Sequence, residues 1–200
     1  MNPLKSIPAT ITLGFVAAIV IALLIGGEVS NRAWSLTVWL HVFFGVIWIG
    51  LLYYFNFVQV PSVAAAAADT GGPGPAAINK YVAPRALLWF RWGAVATWLT
   101  GAAALEASHW GLVNAFLLRE GVVVIGIGAW LGTIMLFNVW VLIWPNQKKI
   151  LGLVQATDEE KNKARRTAFL ASRANTALSM PMLFFMIASG GVFRTAFFGG

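Results

Sequence analysis

Five long apolar stretches separated by short polar segments organise this chain. They run from about Ile7 to Ile25, Ala33 to Val60, Leu87 to Leu105, Gly121 to Trp144 and Leu170 to Phe193. A bilayer-crossing helix needs about 20 largely apolar residues, and each stretch is apolar on all sides rather than along one stripe. The pattern predicts an all-α integral membrane protein: a bundle of five transmembrane helices in a single membrane domain over residues 1–200, with loops 61–86 and 145–169 on the cytoplasmic side.

The punctuation between spans comes from familiar breakers. Pro61 is expected to close the second span and Pro145 to end the fourth at the interface. Between the second and third spans, five alanines (Ala64 to Ala68) precede Gly71-Gly72-Pro73-Gly74-Pro75, which reads as a mobile loop. Thr157 and Glu160 have capping-box spacing, so the last helix is expected to start near Asp158 in water and to kink near Pro181. Lys5 before the first apolar run has the look of a signal peptide, but Ile25-Gly26-Gly27-Glu28 is a poor cleavage site, and the run is expected to remain as a helix.

Composition agrees with the pattern. Of 200 residues, 59% are hydrophobic and 10% charged, with a mean hydropathy of +0.76, far from the roughly 25% charged residues of soluble domains. The net charge of +7 raises the question of an anionic partner, and its placement answers it. With five spans, eleven Lys and Arg residues fall on the side of the N-terminus and three, Arg32, Arg119 and Arg194, on the other. The positive-inside rule then puts the N-terminus in the cytoplasm and the C-terminus in the periplasm of a multi-pass protein of the bacterial inner membrane. The basic excess is a topology signal and a lipid-headgroup contact, so the lipid bilayer rather than nucleic acid is the expected partner.

Zero cysteines exclude disulfides, thiolate metal sites, cysteine-ligated iron–sulfur clusters and covalent c-type haem within these 200 residues. A redox centre here would need His, Met, carboxylate or backbone ligands, and only two histidines exist, His41 and His109. His41 lies roughly 13 Å along the second span from its outer end, a depth at which an ionisable side chain usually faces a partner or a cavity. On one helical face with it come Gly45, Trp48 and Leu52. Gly45 leaves room for a neighbouring helix or a flat macrocycle. Two readings stand: an axial ligand for haem b, with Gly45 and Trp48 beside it, or a histidine that hydrogen-bonds across helices. His109 in the outer loop, near Glu106, Trp110 and Glu120, is a candidate metal ligand for Cu or Zn, or a solvated surface residue. Trp34, Trp110 and Trp144 read as belt anchors, and the deeper tryptophans as helix packing. Gly93, Thr97, Gly101, Gly128 and Gly132, with the polar Asn138, Arg173, Asn175 and Ser179, form helix-packing or partner faces. No nucleophile with its base, phosphate loop or carboxylate pair is visible.

Several blocks together resemble a known family. They are Leu40-His41 through Trp48-Ile49-Gly50, Tyr53-Tyr54-Phe55-Asn56, Trp89-Phe90-Arg91-Trp92 leading to Thr97-Trp98-Leu99-Thr100-Gly101, Asn138-Val139-Trp140 through Trp144-Pro145-Asn146-Gln147, and Ser172-Arg173-Ala174-Asn175-Thr176 before Ser179-Met180-Pro181-Met182. From about residue 33 to 190 the chain resembles the N-terminal membrane domain of the bacterial membrane-bound urate oxidase (urate hydroxylase) family. More remotely, the Leu-His with Trp-x-Gly seven residues on is similar to haem-binding four-helix membrane families, which is what the haem reading of His41 draws on. Members of the urate oxidase family carry a C-terminal c-type cytochrome domain, whereas this chain reaches Gly200 without a cysteine. The resemblance therefore implies a c-type cytochrome as a separate partner. Two functions follow as expectations. One is an integral inner-membrane subunit, structural or electron-transfer-associated, among the other membrane subunits of a larger redox complex. The other is a membrane-bound urate-oxidising or related oxidoreductase that uses a haem and passes electrons to that cytochrome.

Overall fold

The computed structural model describes residues 2–25, 32–190 and 195–197, all helix, turn or loop with no strand among them. Glu28, Phe193 and Arg194, used above to bound spans and count charges, lie outside the described residues. The chain divides into two units, Met1–Arg32 and Ala33–Gly200, where one domain over the whole length is expected from sequence.

The first unit holds a 3-10 turn, Pro3–Lys5, capped by the Asn2 side chain, and helix α1, Ile7–Ile25. Its apolar side chains are exposed around the helix, as the absence of a polar face requires.

The second unit contains α2 (Arg32–Tyr53), α3 (Val60–Ala68), α4 (Ala83–Ala107), the short α5 (Leu112–Phe116), α6 (Val123–Phe137), α7 (Trp144–Ile150) and α8 (Asp158–Ala188). Three π-helical segments, Tyr54–Gln59, Ile78–Val82 and Asn138–Ile143, run directly into α3, α4 and α7. Each ends two residues before a proline: Pro61, Pro84 and Pro145. Proline lacks the N–H and its ring crowds the carbonyl four residues back. A turn widened to i→i+5 spacing accommodates that carbonyl, and the helix continues. The expectation that Pro61 and Pro145 end helices is therefore corrected: one helical rod spans Ala33–Ala68, another Val123–Ile150, and Ala64 to Ala68 belong to α3 instead of the loop.

Among the described residues, three helical stretches are long and apolar enough to cross a membrane: Ile7–Ile25, Ala33–Ala68 and Val123–Ile150. The expectation from sequence was five. α4 carries Arg85, Arg91 and Glu106 among its apolar residues, and the first third of α8 is strongly charged. α8 starts where the capping box placed it. The Thr157 hydroxyl accepts from Glu160 N–H (3.2 Å) and the Glu160 carboxylate accepts from Thr157 N–H (2.8 Å).

Four long rods make the bundle: α2–α3, α4, α6–α7 and α8. Paired positions show the directions. His41 meets Thr97 and Gly101, while Phe55 meets Phe90, so residue numbers rise on α2 as they fall on α4. The same inverse order joins Trp98–Thr133 with Trp92–Trp140, and Gly128–Met186 with Asn138–Asn175. Successive rods are thus antiparallel. The main core combines Trp48, Leu52 and Phe55 with Leu87, Phe90, Met135, Val139, Ile143, Ala171 and Met182. A smaller cluster of Leu105, Ala115, Ile125 and Ala129 closes the end nearest α5. There a Cβ at Gly126 would strike the Ala115 carbonyl and Leu118, and Trp130 Nε1–H donates to Phe116 O (2.9 Å), so α5 is pinned onto α6.

Candidate functional site

Polar side chains inside the bundle fall on two levels. On the first, α8 lays Ser172, Asn175 and Ser179 along one face and partners each. Asn56 Nδ2 donates to Ser172 Oγ (2.8 Å) and to Leu52 O (2.9 Å). Asn138 Nδ2 donates to Asn175 Oδ1 (2.8 Å), while Asn175 Nδ2 donates to Met135 O (3.0 Å), just ahead of a π segment. The Tyr53 hydroxyl and Ser179 Oγ lie 3.0 Å apart. Asn175 and Ser179 are fully buried, and these contacts satisfy them as burial demands. Arg173, on the same helix, leans over the Phe169 ring at 5.2 Å.

The second level centres on His41. Its Nδ1 lies 2.8 Å from Thr97 O. A carbonyl can only accept, so Nδ1 carries the proton and Nε2 keeps its lone pair. Nε2 has no hydrogen-bond partner among the described residues. The ring lies against Gly101, where an added Cβ would stand 2.8 Å from both Nδ1 and Cε1. Gly45, one turn from His41 on its own helix, meets Thr97 Cγ2 at an ordinary 3.8 Å, so the room for the imidazole comes from α4 rather than from α2. Thr97 Oγ1–H donates to Gly93 O (2.7 Å), and at Gly93 the α4 backbone passes close to Ile47 and Trp48.

His41, Gly45, Trp48, Thr97, Gly101 and Gly132 are all brought to one cavity of about 740 Å³ between α2, α4, α6 and α8. Tyr53, Trp98, Met182 and Met186 also line it. The two methionines went unnoticed in the sequence, although their i, i+4 spacing on α8 was the available signal. At its exposed side the cavity is bordered by Val42 and Val46 of α2 and by Leu183 and Ile187 of α8. Gly128 faces Met186 rather than open space. His109 does not join His41: it is exposed, with its ring tilted at 49° against that of Trp110 (centroids 4.9 Å apart). Among the described residues no three His, Cys, Asp or Glu side chains converge as a metal site.

A second cavity, of about 560 Å³, lies at the α3 and α7 end of the bundle, lined by Asn56, Gln59, Asn79, Lys80, Gln147, Arg165 and Ser172 among others. Gln59 Oε1 is buried there without a donor. In the sequence Asn56 and Gln147 stand only as members of the blocks that carry the family resemblance, and Gln59 and Asn79 fall in a span end and a loop.

An all-α bundle that includes helices long and apolar enough to cross a membrane, around a cavity lined by one histidine, defines the class. Comparison narrows it. The family described as urate oxidase N-terminal matches residues 105–196, from the last residues of α4 to beyond the end of α8. The resemblance seen in the sequence is thus shown over that segment, while His41, Gly45 and Trp48 lie before it. Comparisons with curated proteins and with solved structures gave no match.

Proposed function

We propose that this chain is an integral subunit of the bacterial inner membrane, electron-transfer-associated within a larger redox complex. In this reading α4 and α8 cross the bilayer in addition to the three strongly apolar rods. Five crossings place the N-terminus in the cytoplasm and the C-terminus in the periplasm, in line with the Lys and Arg bias. One observation carries the redox part: an intrahelical histidine with its tautomer set by Thr97 O and its Nε2 unengaged, at the wall of an apolar cavity. Pinning one ring nitrogen so that the other presents a lone pair is how proteins prepare histidine to receive a ligand.

A haem b at His41 meets this site halfway. Nε2 suits an iron, and Gly101 lets the ring lie flat against α4. The described lining, however, includes no Lys or Arg to balance two propionates, and an unpaired buried charge is expensive. This favours reading His41 as a hydrogen-bonding group over reading it as an iron ligand.

The urate-oxidising reading keeps support from the family match and from the second cavity. Its amides, Lys80 and Arg165 are the kind of groups that hold a polar, anionic heterocycle. A separate c-type cytochrome would then receive the electrons. Isolation from native membranes in mild detergent, with mass spectrometry of stoichiometric companions, tests the two. Recovery with other membrane redox subunits supports the proposal. Recovery alone or with only a soluble cytochrome c, together with urate oxidation, refutes it in favour of the enzyme.

A further inference from the structure

The cavity at the α3 and α7 end of the bundle has charge of one sign only. Its polar lining is four amides (Asn56, Gln59, Asn79 and Gln147), the Ser172 hydroxyl and two cations, Lys80 and Arg165, with no carboxylate. Lys80 Nζ lies 5.3 Å from the centre of the Tyr81 ring, and one Arg165 N–H donates to Asn162 Oδ1 (2.7 Å). Neither cation has an acidic partner among the described residues. Asn56 adds a directional demand. It is 2% exposed, and its Nδ2 is spent on Leu52 O and Ser172 Oγ. Gln59 Oε1 is sealed from any probe and takes no part, whereas Asn56 Oδ1, also without a partner, keeps accessible surface. The space that Asn56 lines is this cavity. A ligand that fits is therefore anionic where it meets Lys80 and Arg165, and brings a hydrogen-bond donor to Asn56 Oδ1.

The walls and the depth of the cavity say more. Tyr53 meets Ser179 and Asn56 meets Ser172, and the wall continues through Val60 and Val63 on one rod and Phe169 and Arg165 on the other. Val60 and Phe169 are exposed, as are the nearby Phe57, Val58 and Leu170. An apolar flank beside two cations suits an amphiphile. A water-soluble anion, including the planar heterocycle considered above, leaves that flank unused. Counted from Ala33, Asn56 stands about 35 Å along its rod. That is past the roughly 30 Å of hydrocarbon and level with the head groups, where basic pockets between helices take anionic lipid. The volume of about 560 Å³ is within the roughly 300–1,000 Å³ of small-molecule sites.

We infer that this cavity seats the head group of an anionic phospholipid, a phosphodiester monoanion that also carries a free hydroxyl. The phosphodiester oxygens face Lys80 and Arg165, the hydroxyl donates to Asn56 Oδ1, and the acyl chains leave past Val60 and Phe169. No fixed spacing between anchors is required, because Lys80 and Arg165 are long, exposed side chains and a glycerol head is flexible. A choline head has no donor for Asn56 and brings a cation to a wall that already holds two. The inference rests on the membrane-crossing part of the reading above and not on membership of a complex. Retention of the chain in alkali-washed membranes tests that part by itself.

The test titrates the full chain in a neutral detergent with three lipids, reading bound lipid by native mass spectrometry. They are phosphatidylglycerol, phosphatidylethanol, which has the same charge and no hydroxyl, and phosphatidylcholine. Glycerophosphoglycerol, the head group without chains, is the water-soluble comparison. The expected result is one phosphatidylglycerol per chain, with phosphatidylethanol about fivefold weaker for one lost hydrogen bond. Phosphatidylcholine is at least about tenfold weaker, and glycerophosphoglycerol does not saturate the chain over the same range. Arg165→Gln and Lys80→Gln each raise the phosphatidylglycerol Kd about fivefold. Lys163→Gln, exposed on α8 and outside the cavity lining, leaves it unchanged. Asn56→Leu brings phosphatidylglycerol and phosphatidylethanol to the same Kd. If that variant fails to fold, Arg165→Gln and the ligand series on the unsubstituted chain decide. The inference is overturned by phosphatidylethanol or phosphatidylcholine binding as tightly as phosphatidylglycerol, or by the bare head group doing so. Lys163→Gln weakening binding as much as Arg165→Gln, or no saturable binding, overturns it as well.

Discussion

Replacing Gly101 with alanine should disturb the histidine site from a distance of one helix. A Cβ built at Gly101 stands 2.8 Å from both Nδ1 and Cε1 of His41, where ordinary contact begins near 3.4 Å. The ring has to retreat by about 0.6 Å. The bond from Nδ1 to Thr97 O, 2.8 Å long, would stretch to about 3.4 Å, beyond the useful range. Overpacking of this kind costs about 1–3 kcal/mol, and a weakened bond to a buried carbonyl adds about 1 kcal/mol. The expected loss is therefore about 2–4 kcal/mol, or a fall in Tm of roughly 4–16 °C at about 2–4 °C per kcal/mol for a chain of this size. Gly132→Ala is the matched control, because nothing lies within 4 Å of a Cβ there although Gly132 lines the same cavity. The assay is thermal unfolding in detergent, with 15N NMR of His41 to follow the tautomer. If Gly101→Ala and Gly132→Ala melt together, and the His41 nitrogen shifts match those of the unsubstituted protein, the packing described here is wrong.

Three further outcomes are expected. Asn175→Leu strands Asn138 Nδ2 and removes one of the donors to the Met135 carbonyl and should cost about 1–3 kcal/mol in thermal or denaturant unfolding, more than Ser179→Ala, which removes one partner of Tyr53. Gly126→Ala drives a methyl into the Ala115 carbonyl and should free α5, raising amide exchange over residues 112–116 by tenfold or more, with α8 little affected. Glu160 titrates below the ordinary carboxylate range because it accepts the Thr157 backbone N–H and feels Lys149. A group whose folded value is lowered gives its stabilisation above the ordinary carboxylate value and loses it as pH falls through the folded one. Protection factors of the amides at the start of α8, taken relative to the intrinsic exchange rate, should therefore fall on acidification below about pH 4, and Glu160→Gln, which keeps the capping geometry, should flatten that dependence.

Much of this architecture was legible as hydropathy. Runs of apolar residues show where rods lie, and Thr157 with Glu160 marks the start of α8 because capping is a local interaction. The prolines were misleading for a related reason. Pro61 and Pro145 read as stops in isolation, yet the π segments before them absorb the clash, and nothing in local composition announces a π turn. His41 was singled out correctly as the unusual polar group of its span, but the space around it was credited to Gly45. The residue that makes the space is Gly101, sixty positions away, and helix register against helix is not written in any one segment. The same applies to Met182, Met186 and the hydroxyl of Tyr53, which gain meaning only once α8 is set against α2 and α6.

The most direct measurement is native mass spectrometry of the chain released from its own membranes without added ligand. The account predicts that other membrane redox subunits accompany the chain in near-stoichiometric amounts. A chain recovered alone or with only a soluble cytochrome c, and active on urate, would contradict it.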